Sequence, residues 1–179
     1  YYDQALEWAR QGRRITSLAT HPAQYRVFVR HCLFAPLIQG RIAEAEQACA
    51  EIEAAESDPS LLAHAAYARA TLNARLYPPE RRDYGTAAAM IERALALTDS
   101  LPEMETRAVN RAFLVNTMAL VRKRQGANDT AMALMCEALD HLKSHAPSRY
   151  DIECELLMHN RARLHIAAGR KDLATADLT

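Results

Sequence analysis

One spacing constrains this chain more than any other feature. Gly40, Gly126 and Gly169 are each followed five residues later by an alanine, at Ala45, Ala131 and Ala174. The alanines Ala5, Ala45, Ala87, Ala131 and Ala174 then recur at intervals of about 40–44 residues. Self-similarity at such a period marks a chain built from stacked supersecondary units, each unable to bury its apolar face alone. Glycine fits a tight junction between two helices, where the backbone needs φ > 0 or a close approach. Alanine fits a place where the two helices of a unit come close.

Composition decides what those units are made of. The 179 residues include 35 alanines but only five glycines and seven prolines. Alanine is the best helix former, and so few turn residues exclude disorder and most all-β folds. No segment alternates with a period of two, so the expected class is all-α. The 3.6-residue pattern predicts helices over 2–19, 23–39, 41–56, 59–77, 84–98, 103–125, 128–145, 149–168 and 170–179. They group into a half unit at 1–20 and units at 23–56, 59–98, 103–145 and 149–179 of one repeat domain, 1–179. Asp58-Pro59 offers an N-cap and first-turn proline. Ser100-Leu-Pro102-Glu103 has the form of a capping box, and Ser148 can cap the next helix. Pro36 is expected to kink its helix.

The best-defined unit runs Asn116-Thr-Met-Ala119, then Gln125-Gly126, Ala131 and Ala138-Leu139. Asn160-Arg-Ala162, Gly169 and Ala174 repeat it, Gln39-Gly40 and Ala45 match in part, and Asp83-Tyr84-Gly with Ala87 and Ala94-Leu95 follows a Tyr77-Pro78-Pro79-Glu80 turn. These residues resemble the tetratricopeptide repeat family, in a long-helix variant similar to kinesin-light-chain-type and bacterial signalling arrays. The aromatic residues that the family often places in its first helix are largely absent. The resemblance implies a right-handed superhelical solenoid of antiparallel helix pairs, about four repeats plus partial ones, with a concave groove lined by first helices. It further implies a scaffold that binds a peptide or helix. The matching groove positions are Arg30, Tyr67, Asn116, Lys123, Asn160 and Arg163. Asparagine offers a peptide amide both a donor and an acceptor. Arginine and lysine favour an acidic segment or a free C-terminus. Asn116 and Asn160 could equally bridge adjacent repeats by hydrogen bonds.

Enzyme chemistry finds little support. The sequence contains no Gly-rich phosphate loop, nucleophile elbow or His-Glu-x-x-His motif, so no catalytic residue, cofactor or metal is expected. His141 and His145 stand at i, i+4 with Glu137 a turn earlier, a spacing for metal chelation as well as for helix-dipole contacts. Cys154 and His159 project from different faces, and His31 and Cys32 read as one surface and one core residue. Acidic Glu51, Glu53, Glu56 and Asp58 and basic Arg75, Arg81 and Arg82 read as solvated surface at helix ends and loops, with docking as the alternative. The Tyr77–Arg82 turn reads as a tolerated insertion or, alternatively, a lid or contact site.

With 22 basic and 22 acidic side chains the formal charge is zero, which excludes nucleic-acid binding by bulk electrostatics. No run of about 18 apolar residues and no leader pattern is present. Four widely spaced cysteines suit a reducing, cytoplasmic setting. The chain opens without Met inside a second helix, and Leu6, Trp8, Leu173 and Leu178 are expected to lack partner helices, as in a fragment that can self-associate. Two rival functions remain at this point: the sensory or oligomerisation arm of a larger bacterial regulator or signalling ATPase, and the substrate-positioning domain of an enzyme.

Overall fold

The structure, a computed structural model, describes residues 2–178. These form α1 (Tyr2–Ile15), α2 (Pro22–Ile38), α3 (Ile42–Ala55), α4 (Pro59–Thr71), α5 (Tyr84–Asp99), α6 (Met104–Arg124), α7 (Asn128–His145), α8 (Tyr150–Ala167) and α9 (Lys171–Ala176). A π-helical segment, Leu72–Leu76, continues α4, and 3-10 turns occupy Pro79–Arg81 and Pro147–Arg149. Among the described residues there is no strand, and no helix is long and apolar enough to cross a membrane. Tyr1 and Thr179, the outer ends of the expected 1–20 and 149–179 units, lie outside the described residues.

The chain forms two compact units, Tyr1–Ala94 and Leu95–Thr179, with the boundary inside α5. In the first unit α2 packs on α1, α3 and α4, and α3 on α4. Its core gathers Val29, Leu33, Ala45, Cys49, Ile52 and Leu61. In the second, α6 packs on α7 and α8, α7 on α8 and α8 on α9, around Val115, Met135, Leu139, Leu142 and Leu157. Each fully buried large side chain of this kind contributes about 1.5–3 kcal/mol.

The three glycines build the same turn. Their φ values are 69° at Gly40, 82° at Gly126 and 74° at Gly169, the only positive φ values among the described residues. In each, the glycine N–H donates to the carbonyl three residues back, at Leu37, Lys123 or Ile166. The next N–H, of Arg41, Ala127 or Arg170, donates five residues back to Pro36, Arg122 or His165. This is the Schellman closure of a helix end, which satisfies carbonyls that have no intrahelical partner. Conformation, not space, demands the glycine, because a Cβ at any of the three would meet nothing within 4 Å. The chain then enters the second helix at once, and Ala45, Ala131 and Ala174 in its first turns are buried. Gly12 is a different case: a Cβ there would lie 2.6 Å from the Phe28 ring, so it marks the close approach of α1 to α2.

Several expected boundaries shift for local reasons. α1 ends at Ile15 rather than 19, where hydroxyl side chains compete with the helical ladder. Thr16 Oγ1 donates to the Gly12 carbonyl at 2.8 Å, and the Ser17 side chain accepts from the Thr20 N–H at 3.2 Å. α2 runs through Pro36 and ends two residues later, with Pro36 in its last turn. Asp58 caps α4, accepting from the Leu61 N–H at 3.1 Å. The Ser100 capping box does not form. α6 starts at Met104 with Glu103 as its N-cap, and the Ser100 hydroxyl turns back to the Leu97 carbonyl at 2.7 Å. Ser148 does not cap α8 either, since it sits in the 3-10 turn and donates to Glu105 at 2.6 Å. Nor does Leu6 lack a partner: it is buried in the first unit, while Trp8, Leu173 and Leu178 are exposed.

Candidate functional site

Three helices end at an equivalent glycine, so residues counted back from it occupy equivalent positions on α2, α6 and α8. Thirteen residues before the glycine stand Val27, Phe113 and Leu156; ten before stand Arg30, Asn116 and His159. Six before stand Phe34, Leu120 and Arg163, and three before stand Leu37, Lys123 and Ile166. Spacings of three and four place each set on one helical face. The first position is apolar on all three helices, and the second is always a hydrogen-bonding side chain. On α6 the apolar members, Phe113 and Leu120, are half-buried. On α8 the stripe is open to solvent, with Leu156 52% and Ile166 55% exposed, His159 and Arg163 exposed between them, and Glu155 at its margin. An apolar stripe left exposed on a helix is more informative than scattered surface leucines.

The cations on these faces are free of ion pairs among the described residues: Lys123 and Arg124 on α6, Arg163 on α8 and Arg30 on α2. Many of the chain's acids, by contrast, are taken. In the second unit Arg111 reaches Asp99 and Glu137, Arg149 pairs with Glu153, and Arg161 donates to Asp177. In the first, the acidic cluster that reads in the sequence as solvated surface or a docking patch is engaged internally. Glu51 pairs with Arg13, Glu53 with Arg69 and Asp58 with Arg26, while Glu56 accepts from Tyr25. Burial disfavours the Asp58 carboxylate, but hydrogen bonds from Arg26 and the Leu61 N–H outweigh it and hold its pKa below the ordinary range.

Asn116 and Asn160 are brought together. Asn160 Nδ2 donates to Asn116 Oδ1 at 3.0 Å, joining α6 to α8 with both residues buried. Asn160 stands one residue off the stripe, on the flank that meets α6. The bridge uses one donor and one acceptor. Asn116 Nδ2 and Asn160 Oδ1 have no partner among the described residues, and neither is sealed from solvent. An amide donor and an amide acceptor therefore lie at the floor between α6 and α8, the pair that one backbone peptide group needs.

The other expected positions divide by unit. In the first, Tyr67 on α4 is half-buried and packs edge-on to Phe34 of α2, with ring centroids 5.9 Å apart. His64 packs on the same ring at 5.7 Å. Burial and the neighbouring Arg30 lower the His64 pKa, against a hydrogen bond to the Ser60 carbonyl. Arg30, Phe34, His64 and Tyr67 thus form a basic, aromatic face. Val27, Phe34, Phe113, Leu120, Leu156 and Ile166 on these faces were not singled out in the sequence, and His159 was weighed there only against Cys154. The same count back from the glycines would have found them.

The remaining candidates do not assemble a centre. The His141 and His145 rings stack at 4.3 Å, and among the described residues no group of three or more His, Cys, Asp or Glu could hold a metal. Cys154 is buried and His159 exposed, so they do not meet; His31 is exposed and Cys32 half-buried. The Tyr77–Arg82 turn is pinned to α3. Tyr77 and Arg81 both donate to Glu46 at 2.6 Å, and the Arg81 guanidinium lies 3.9 Å above the Tyr77 ring. The hydrogen bond from Tyr77 leads the effects that lower the Glu46 pKa.

The chain matches no protein-family model, no curated protein and no solved structure.

Proposed function

We propose that this chain is a tetratricopeptide-like array whose first-helix faces bind an acidic amphipathic peptide or helix, making it a protein-interaction scaffold and not a catalyst. The observation that carries the reading is the coincidence of apolar side chains and unpaired cations on one stripe of α6 and α8. Leu156 and Ile166 supply apolar contact, Lys123, Arg124 and Arg163 supply positive charge, and the amide atoms of Asn116 and Asn160 not used in their bridge suit a peptide backbone. An amphipathic helix carrying leucine and glutamate on one face matches both properties. The neutral chain as a whole does not oppose this, because recognition depends on local and not net charge. The four free thiols fit a reducing cytoplasmic compartment.

The test is a fluorescence-anisotropy titration with a labelled Leu/Glu amphipathic peptide and its Leu/Lys counterpart. The acidic peptide is expected to bind saturably and to weaken with added salt, since exposed charges are screened within about 10 Å at 0.1 M. Lys123→Glu combined with Arg163→Glu is expected to weaken it at least about tenfold, through like-charge contacts costing more than about 1.4 kcal/mol. Equal binding of the basic peptide, or wild-type affinity in the double variant, would overturn the assignment.

A further inference from the structure

The first unit contains a cleft of about 410 Å³ between α1, α2 and α3, separate from the first-helix stripe. Its floor is apolar, made by Val29, Pro36 and Ile52 with the half-buried Cys32. Its α1 wall is cationic. Arg10, Arg13 and Arg14 line it at i, i+3 and i+4, so their side chains leave from one face. The α3 wall carries Glu44 and Glu51. The volume is in the range of small-molecule sites, and the lining combines a strongly charged rim, with Gln47 beside Glu51, and a smaller apolar part.

The three arginines are not equally committed. Arg13 donates to Glu51 at 3.1 Å and is three-quarters covered. Arg10 meets Glu44 at 3.4 Å with both side chains about half exposed, and exposed pairs of this kind contribute about 0–1 kcal/mol. Arg14 makes no ion pair among the described residues. An incoming anion can therefore sit between Arg10 and Arg14, one helical turn apart, replacing the weak Glu44 contact and leaving Arg13–Glu51 intact. Burial pushes the Cys32 thiol up, while Arg13 and Arg10 pull it back, which puts both guanidiniums within electrostatic reach of the floor.

We propose that the α1–α2–α3 cleft binds a small amphiphilic monocarboxylate, with its carboxylate between Arg10 and Arg14 and its apolar stem over Val29, Cys32 and Ile52. The acids on the α3 wall set the charge of the ligand. A second negative group would face Glu44 and Glu51, so a monoanion is favoured over a dianion. A neutral head would forfeit the charge-assisted hydrogen bonds, which are about twice as strong as neutral ones.

The test titrates the whole chain with monomeric octanoate, followed by amide chemical shifts in solution. Saturable shifts are expected at Arg10, Arg14, Cys32 and Ala48. Octanamide, which keeps the stem without the charge, and acetate, which keeps the charge without the stem, are each expected to bind at least about tenfold more weakly. Arg14→Gln and Arg10→Gln are each expected to weaken octanoate at least about tenfold, the latter also leaving the Glu44 carboxylate without its Arg10 partner beside the ligand. Lys123→Glu with Arg163→Glu is expected to leave octanoate binding unchanged, which separates this site from the first-helix stripe. No saturable shift, shifts centred outside α1–α3, octanamide binding as tightly as octanoate, or an Arg14→Gln variant of full affinity would each overturn the proposal.

Discussion

The Asn116–Asn160 bridge permits a quantitative test of how α6 and α8 are joined. Asn160→Ala removes the donor of a 3.0 Å hydrogen bond and leaves Asn116 Oδ1 in a place where Asn116 is only 4% exposed. Stranding a buried polar group costs about 1–3 kcal/mol, and the truncated side chain leaves a small void besides. Asn116→Ala strands Asn160 Nδ2, on a residue 6% exposed, and has the same expected cost. For a chain of this size about 2 kcal/mol corresponds to a fall of roughly 4–8 °C in Tm. The double variant strands nothing, so the two losses should not add, and a coupling of about 1 kcal/mol is expected. Urea denaturation followed by far-UV circular dichroism, with m compared across all four proteins, measures it. Additive losses, or single variants as stable as wild type, would refute the bridge as a stabilising contact.

Three further outcomes follow from the packing. Gly126→Ala should cost about 1–2 kcal/mol, since the left-handed region penalises any Cβ even where space is open, and Gly126→Asn should cost less; thermal melts of the pair check this. Gly12→Ala should destabilise by about 1–3 kcal/mol because its Cβ meets the Phe28 ring, and Phe28→Leu should recover part of that loss in the same assay. His64 should make the fold acid-sensitive. Its folded pKa lies below the ordinary 6.5, so its contribution is intact above 6.5 and is lost as pH falls through the lowered folded value. His64→Leu should flatten the stability profile of the chain in that window, as read from urea midpoints across pH.

Local rules made the turns legible in the sequence. The three glycines and the alanines five residues later specify helix ends that the structure closes with identical hydrogen bonds, and Asp58 caps α4 as its position suggests. The boundaries at Thr16 and Ser100 were less legible because a hydroxyl side chain can serve the helix before it or the one after it. Ser100 turned back to Leu97. The continuation of α4 as a π segment carries no sequence signal of comparable strength. Least legible was which charges are free. Glu51, Glu53 and Asp58 read as an open acidic patch, yet their partners Arg13, Arg69 and Arg26 lie 16–38 residues away. Only tertiary packing reveals that these acids are occupied while Lys123 and Arg163 pair with no acid among the described residues.

The first-helix stripe is the proposed binding face. It is tested most directly by photo-cross-linking, with a photoreactive residue on the apolar face of the Leu/Glu peptide and the adducts mapped by mass spectrometry. Cross-links are predicted on α6 at Phe113, Leu120 and Lys123 and on α8 at Leu156, Arg163 and Ile166. Adducts concentrated on the exposed face of α7 or around Trp8 of α1, with the stripe unlabelled, would contradict it.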